Sequence, residues 1–149
     1  IPPSPVPEGF RIQSLADEND QQKINLCLWR GFNHEGELPD EELNAPAVAQ
    51  HAPNFRKDYT IVAVTPDGEY ASYAGIWHVP ENKLAYVEPV ATDPRYRRKG
   101  LGRACVLETL RRVQAAGAEV AWVASDQPFY SAIGFEKKFQ RNLWIKWLS

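Results

Sequence analysis

The chain has 149 residues, of which 44% are hydrophobic and 24% are charged, and its formal net charge is −2. This length suits a single domain that can bury a core without a disulfide framework or a structural metal. No apolar run approaches the roughly 18 residues of a membrane-spanning helix, and the slightly acidic balance gives no general attraction to nucleic acid. We therefore expect neither a membrane nor a nucleic acid as partner.

The cysteines and histidines give no sign of a cross-linked or metal-containing protein. Two cysteines, Cys27 and Cys105, are too few for a disulfide scaffold, so a reducing, cytoplasmic setting is expected. His34, His51 and His78 show none of the spacings that bring metal ligands onto one face, and no His-Cys cluster accompanies them. We predict no metal.

The chain begins with a proline-rich stretch and contains no Met, so its first residue is not an initiator. Such a composition is typical of a polyproline linker or of a processed terminus. We predict that residues 1–8 are a terminal segment or linker and that residues 9–149 form one domain. An upstream domain and a homodimer are both compatible with the sequence.

In chain order, the first predicted elements alternate between strand and helix patterns. Residues 10–15 alternate apolar and polar side chains as a strand does, and Asp17 is the predicted N-cap of a helix that ends near Phe32. A shorter helix is predicted over 39–49. Three β-rich runs follow and are expected to pair as a meander, with Pro66-Asp67-Gly68 as a hairpin turn: 59–65, 70–79 and 84–92.

The remaining elements are one long helix and several short segments. Apolar positions at helical spacing predict a helix over 101–116, with Gly117 ending it in a left-handed conformation. A strand over 120–124, a short helix over 128–133 and a closing pair of strands over 135–140 and 143–148 complete the chain. The sequence thus predicts an α+β fold with a central, mostly antiparallel twisted sheet of about seven strands and about four helices.

The segment between the strand 84–92 and the helix 101–116 combines glycines with positive charge. The first N–H groups of a helix have no intrahelical partner and lie at the positive end of its dipole, so they bind anions. Gly100 and Gly102 lack a Cβ, which permits positive φ and a close approach of a ligand to the main chain. The added charges are Arg97, Arg98, Lys99 and Arg103. We predict a site for a small anion, with a solvated basic loop as the alternative.

Two other phosphate-binding motifs fit poorly. A Walker loop requires Gly-Lys followed by Ser or Thr, a tripeptide that the chain lacks. A dinucleotide fingerprint would require a third small residue at Cys105 and usually follows the first strand of a parallel series. Here the turn follows a meander of about four strands.

At these residues the chain resembles the GCN5-related N-acetyltransferase (GNAT) superfamily. The family signature, Arg/Gln-x-x-Gly-x-Gly/Ala, is matched by Arg97-Arg98-Lys99-Gly100-Leu101-Gly102, after an Asp-Pro at Asp93-Pro94. A second family element, an aromatic-Tyr pair before Gly-Phe, is matched by Phe129-Tyr130 and Gly134-Phe135. The resemblance extends from about Phe10 to the C terminus and implies the GNAT fold. One departure is Ser125-Asp126, where many members place an Asn that contacts the cofactor.

The resemblance implies an acetyl-CoA-dependent N-acetyltransferase that acts on a primary amine by direct attack in a ternary complex. It implies that the main chain of Val90, Ala91 and Thr92 contacts the pantetheine arm and the thioester carbonyl, an oxyanion site in physical terms. The residues implied for the diphosphate are Arg97, Arg98, Lys99, Gly100, Leu101, Gly102 and Arg103. Tyr130 matches the family tyrosine that protonates the departing thiolate; the alternative is that it only packs beside Phe129 and Phe135.

Glu88 is the predicted general base. It lies two and four residues before Val90 and Thr92, so we expect it on the same strand face, where partial burial would make it a better base. The alternatives are a salt-bridge partner or a solvent-facing side chain.

The acceptor is left open as a small-molecule or protein amine, bordered by the loop 32–37, whose acidic residues would suit a cation. A non-catalytic acyl-CoA-binding or regulatory module with the same fold is the competing function. Nucleic-acid binding by the basic turn is disfavoured, because Tyr96 is the only aromatic residue among its arginines.

Overall fold

The protein is described from a computed structural model covering residue 1, residues 3–139 and residues 144–147. These residues form a five-stranded sheet in the order β1-β2-β3-β4-β5. All neighbouring strands are antiparallel except β4 and β5, which are parallel. The strands are β1 (Arg11–Ser14), β2 (Ile61–Val64), β3 (Tyr70–Val79), β4 (Leu84–Thr92) and β5 (Val120–Trp122). The helices are α1 (Gln21–Gly31), α2 (Asp40–Leu43), α3 (Leu101–Ala115) and α4 (Pro128–Ala132). The predicted α+β class with a mostly antiparallel sheet is confirmed.

A hydrophobic core lies on each face of the sheet, because successive side chains of a strand point to opposite faces. In β2, Ile61 and Ala63 belong to the core beneath α3, whereas Val62 and Val64 belong to the core beneath α1. The two free thiols follow the same division, since Cys105 is buried in the α3 core and Cys27 in the α1 core. The sheet therefore holds one long helix on each side.

The helix ends show why α1 begins later than predicted. Asp20, not Asp17, is the N-cap, and its carboxylate accepts a hydrogen bond from the N–H of Lys23 at 3.0 Å. Asp17 accepts from both the N–H and the hydroxyl of Ser14, at 2.8 and 2.6 Å, and so closes the turn after β1. Asp is a favoured N-cap residue, so either position could cap the helix. Asp20 does so because the carboxylate of Asp17 is already bonded within the turn.

The end of α3 agrees with the prediction. Gly117 has a φ of +96° and donates to the carbonyl of Gln114, while Ala118 donates to the carbonyl of Val113. This pair of hydrogen bonds is a Schellman motif, which favours glycine at the left-handed position.

The predicted helix over 39–49 is divided into α2 and a separate 3-10 turn, Val48–His51. The cause lies in Pro46, which has no N–H to donate and disfavours a helical conformation at the residue before it. The prediction of one continuous helix is therefore wrong.

The described sheet has five strands rather than about seven. Residues 135–139 and 144–147 carry no strand, and the rest of the predicted closing strands, 135–140 and 143–148, lies outside the described residues. At the other end of the chain, Val6 packs against the α3 core, so part of the segment predicted to be a linker contacts the domain. None of the described helices is long and apolar enough to cross a membrane.

Candidate active site

The strands β4 and β5 separate along their length and leave a gap. They are paired only where Leu84, Ala85 and Tyr86 meet Val120, Ala121 and Trp122. Beyond this point β4 continues to Thr92, while β5 ends at Trp122. The carboxyl half of β4 therefore has one edge open toward the gap within the described part of the chain.

The pairing with β3 determines which N–H groups of β4 face this gap. Asp93 donates its N–H to the carbonyl of Ala71, toward β3, at 3.0 Å. Hydrogen-bonded and non-hydrogen-bonded positions alternate in an antiparallel pair, so Ala91 also faces β3, whereas Val90 and Thr92 face the gap. Of the three residues predicted to contact the thioester, Val90 and Thr92 thus direct their N–H groups toward the gap, and Ala91 does not.

The N terminus of α3 lies exposed at the end of the predicted anion turn. Gly100 is its N-cap residue with a φ of +79°, and no side chain caps the helix. A Cβ built on Gly100 would meet no atom within 4 Å, and Arg98 also has a positive φ, of 63°. The N–H groups of the first turn, which have no intrahelical partner, are thus next to open space.

Gly102 has a different reason to be glycine. A Cβ at this position would lie 3.0 Å from Oγ1 of Thr92 and 3.7 Å from the ring of Phe129. The missing side chain lets α3 pack directly against the end of β4 and against α4. The contact brings the anion turn, the gap and α4 together.

The basic side chains of the turn divide into two groups. Arg98, Lys99 and Arg103 are exposed. Arg97 is also exposed, but it donates to the carbonyl of Thr92 at 3.0 Å, to the carbonyl of Gly31 at 2.9 Å and to Oδ1 of Asn33 at 2.8 Å. Its guanidinium joins the turn to the ends of β4 and α1.

Asp93 stabilises the turn through its buried carboxylate, a role that we did not predict. Its side chain is buried and lies 2.8 Å from Arg95 and 3.6 Å from Arg30. Burial alone would raise the pKa of Asp93, but the hydrogen bonds from Arg95 and the charges of both arginines hold it below its ordinary value. An Asp before a Pro that opens a turn is a capping signal, and it could have identified this residue.

Tyr130 lies on α4 between two aromatic rings. The ring of Phe129 is 5.0 Å away and that of Phe135 is 5.6 Å away, both edge to face. Burial raises the pKa of Tyr130, and the charges of Tyr86 and Glu88 raise it further. Both alternatives considered for Tyr130, ring packing and proton donation, are compatible with this position.

The expected position of Glu88 is wrong in two respects. Val87 pairs with Ile76 and Val90 pairs with Ala74, so two residues, Glu88 and Pro89, lie opposite the single residue between those partners. Because of this β-bulge, Glu88 does not share the α3 face with Val90, and its side chain is exposed rather than partly buried.

The single residue opposite the bulge is Gly75. A Cβ at Gly75 would lie 2.6 Å from the carbonyl oxygen of Glu88, so the bulge requires a glycine here. An isolated glycine inside a strand pattern is the signal that could have predicted it. No group of three or more His, Cys, Asp or Glu side chains in the described ranges is placed to hold a metal ion.

A known protein family matches most of the chain. Residues 23–139 match the Acetyltransferase (GNAT) family. The chain is 25% identical over 144 residues to a mycothiol acetyltransferase of Saccharomonospora viridis, covering 88% of this chain but only 47% of that protein. The chain thus spans about half the length of that curated relative.

Solved structures share the fold. An acetyltransferase of Trypanosoma brucei has a TM-score of 0.69 and 22% identity, with 92% of this chain and 99% of that chain covered. A GNAT family acetyltransferase of Brucella melitensis in complex with acetyl-CoA has a TM-score of 0.61 and 18% identity, with 86% and 83% covered.

Proposed function

We propose that this chain, which belongs to the Acetyltransferase (GNAT) family, transfers the acetyl group of acetyl-CoA to a primary amine by direct attack in a ternary complex. The observation that supports this most is the contact of Gly102 with both Thr92 and Phe129. It joins an anion-binding helix terminus, an open strand edge and the helix that carries Tyr130.

The diphosphate of acetyl-CoA would be held by the turn from Arg98 to Arg103. The uncapped N–H groups at the start of α3 supply oriented donors, and the open space at Gly100 admits an anion to the main chain. Arg98, Lys99 and Arg103 add positive charge around it. Arg97, which uses its Nε and Nη2 donors on the protein, would keep the turn in place.

The thioester carbonyl would lie in the gap between β4 and β5. The N–H groups of Val90 and Thr92 point into this gap, and a donor fixed there stabilises the oxyanion of the tetrahedral intermediate. Backbone donors on a sheet strand need little reorganisation during the reaction. This role depends on the strand and not on the side chains of Val90 and Thr92.

Tyr130 would supply the proton to the departing sulfur. On ordinary values a phenol is a weaker acid than a thiol, so complete transfer to a free thiolate is uphill by about 2 kcal/mol. The unfavourable transfer is offset by a second proton. The nitrogen that forms the new C–N bond must lose a proton as the C–S bond breaks. That proton restores the phenol, and the raised pKa of Tyr130 keeps it protonated beforehand.

Glu88 would accept or relay the first proton, which an ammonium group must lose before it can attack. Its exposed position in the bulge, in the half of β4 that borders the gap, supports this role. The support comes from the bulge geometry and not from the burial that the sequence suggested.

The test is Tyr130→Phe, with Tyr70→Phe as the matched control. Tyr70 lies in the α1 core and donates its hydroxyl to the carbonyl of Glu18 at 2.9 Å, so its loss affects stability alone. We expect Tyr130→Phe to lower kcat for acetyl transfer about 100-fold with an unchanged Kd for CoA. Tyr70→Phe should keep kcat.

Equal kcat values for the wild type and Tyr130→Phe would remove the acid role. Tight CoA binding measured by calorimetry, with no turnover over a broad amine panel, would instead favour a non-catalytic acyl-CoA-binding module.

A further inference from the structure

A groove of about 200 Å³ lies on the α1 side of the sheet, opposite the face that carries α3. Its floor is the bulge formed by Gly75, Glu88 and Pro89, and its walls are α1 and residues 46–50. Gly75 has no side chain to fill the floor of the groove. Any other residue would place its Cβ too close to the carbonyl of Glu88. The groove is smaller than the roughly 300–1,000 Å³ of sites that hold drug-sized ligands.

The groove is mainly apolar. Side chains from α1, from the segment before β2 and from β3 supply hydrocarbon and aromatic surface, namely Ile24, Leu28, Phe55, Tyr73 and Trp77. Phe55 and Trp77 contact each other edge to face at 6.0 Å. A ligand that fills this space must therefore bring an apolar or aromatic body.

The amide side chains of the groove are already occupied by the protein. Gln21 donates to Asn25, and Asn25 donates to the carbonyls of Glu42, Leu43 and Ala45. Gln50 exchanges two hydrogen bonds with Asn19, at 2.9 and 3.0 Å. These groups hold α2 and the 3-10 turn against α1, which leaves them few donors or acceptors for a ligand.

Glu88 is the one charged residue that lines the groove among the described residues. It forms no ion pair within the described ranges. The acidic residues that follow α1 do not line the groove; they are Glu35, Glu37, Asp40, Glu41 and Glu42. The groove thus presents one carboxylate to a cation, whereas a polyamine or a multiply hydroxylated amine would require several free polar groups.

An aromatic row extends from the groove across the sheet to β5. Trp77 pairs with Tyr86 across β3 and β4, and Tyr86 stacks on Trp122 of β5 with ring centroids 4.2 Å apart. Trp122 and Tyr130 line the same neighbouring cavity, which is formed mainly by α3, β5, α4 and the residues that follow α4. Glu88 itself lies in the half of β4 beyond the residues that pair with β5. An amine nitrogen beside Glu88 would therefore be close to the gap in which the thioester is proposed to lie.

We infer that the groove binds the acetyl acceptor, and that this acceptor is a small primary amine with one positive charge and an apolar or aromatic body. The body fills the groove and the nitrogen lies beside Glu88. This inference rests on the proposed function, since it names the acceptor of that reaction. The nitrogen gives up one proton before attack and a second as the amide forms. The departing sulfur of CoA takes up one of these protons, and the other is released to solvent.

The test compares phenethylamine, ethylamine and spermidine at saturating acetyl-CoA, with released CoA thiol as the signal. Phenethylamine should have a kcat/KM at least tenfold above that of ethylamine, which lacks the ring, and above that of spermidine. Glu88→Gln should raise the KM for phenethylamine about tenfold, the loss of one charge-assisted hydrogen bond. The matched control is Glu41→Gln, an exposed carboxylate outside the groove, which should leave this KM unchanged.

The possible results separate the two proposals. Transfer to spermidine that equals or exceeds transfer to phenethylamine, or an equal effect of Glu88→Gln and Glu41→Gln, would overturn the inferred acceptor while acetyl transfer itself stands. Tight CoA binding with no transfer to any of the three amines would overturn both the inference and the proposed function. An unchanged Kd for CoA verifies that both variants are folded.

Discussion

Two glycines at opposite ends of α3 provide a matched test of the anion turn. Gly100 and Gly117 have φ values of +79° and +96°, and a Cβ on either would meet no atom within 4 Å. Alanine at either position therefore brings backbone strain but no collision. Only Gly100 lies where the diphosphate is proposed to bind.

The expected magnitudes follow from this difference. A left-handed conformation costs a non-glycine residue about 1–2 kcal/mol, so both variants should lose about that much unfolding free energy, with a fall in Tm of about 2–8 °C. A methyl group at Gly100 would also separate the diphosphate from the N–H groups of the turn. The loss of one charge-assisted hydrogen bond, about 1.5–3 kcal/mol, corresponds to a Kd for CoA raised about 10- to 150-fold.

Calorimetry with CoA, together with thermal unfolding, measures both quantities. Gly100→Ala should bind CoA at least tenfold more weakly than Gly117→Ala, at a similar Tm. Equal affinities in the two variants would refute the assignment of the diphosphate to this turn. A large fall in Tm for Gly100→Ala alone would show that the turn matters for stability instead.

Two further predictions concern stability. The carboxylate of Asp93, whose pKa is lowered, stabilises the fold above pH about 4; this contribution is lost as pH falls through its folded pKa. Asp93→Asn should lower the free energy of unfolding by about 1–3 kcal/mol at pH 7, and its difference from the wild type should shrink below pH 4. Urea unfolding at several pH values measures this difference. A difference that does not change with pH would contradict the ionic role. Gly75→Ala should cost about 1–3 kcal/mol by overpacking the bulge, whereas an unchanged unfolding midpoint would show that the bulge adapts.

Features set by neighbouring residues could be predicted from the sequence. Gly100 and Gly117, at the two ends of α3, have a left-handed backbone conformation, which follows from their positions next to an apolar helical pattern. The hairpin follows from Pro66-Asp67-Gly68. Asp17 and Asp20 show the limit of such signals, because both suit an N-cap and only the turn after β1 distinguishes them.

Features set by distant residues could not be predicted. Arg97 was assigned to the diphosphate because of its position in the turn, but its donors meet Gly31 and Asn33, which are more than 60 residues away in the chain. A guanidinium in a basic turn can reach a ligand or the protein itself, and the choice depends on where α1 ends. Sequence spacing carries no information on that contact.

The bulge in β4 has a larger consequence, because it turns Glu88 toward α1 while Val87 and Val90 face α3. The proposed anion turn at the start of α3 and the groove inferred to bind the acceptor therefore lie on opposite faces of the sheet. On the proposed binding modes each substrate binds without displacing the other, and only their reacting ends meet in the gap between β4 and β5. A ternary complex requires this arrangement, and initial rates at varied acetyl-CoA and phenethylamine should give intersecting double-reciprocal lines. Parallel lines would indicate a covalent acetyl-enzyme and would contradict direct attack, because the gap would then serve the two substrates in turn.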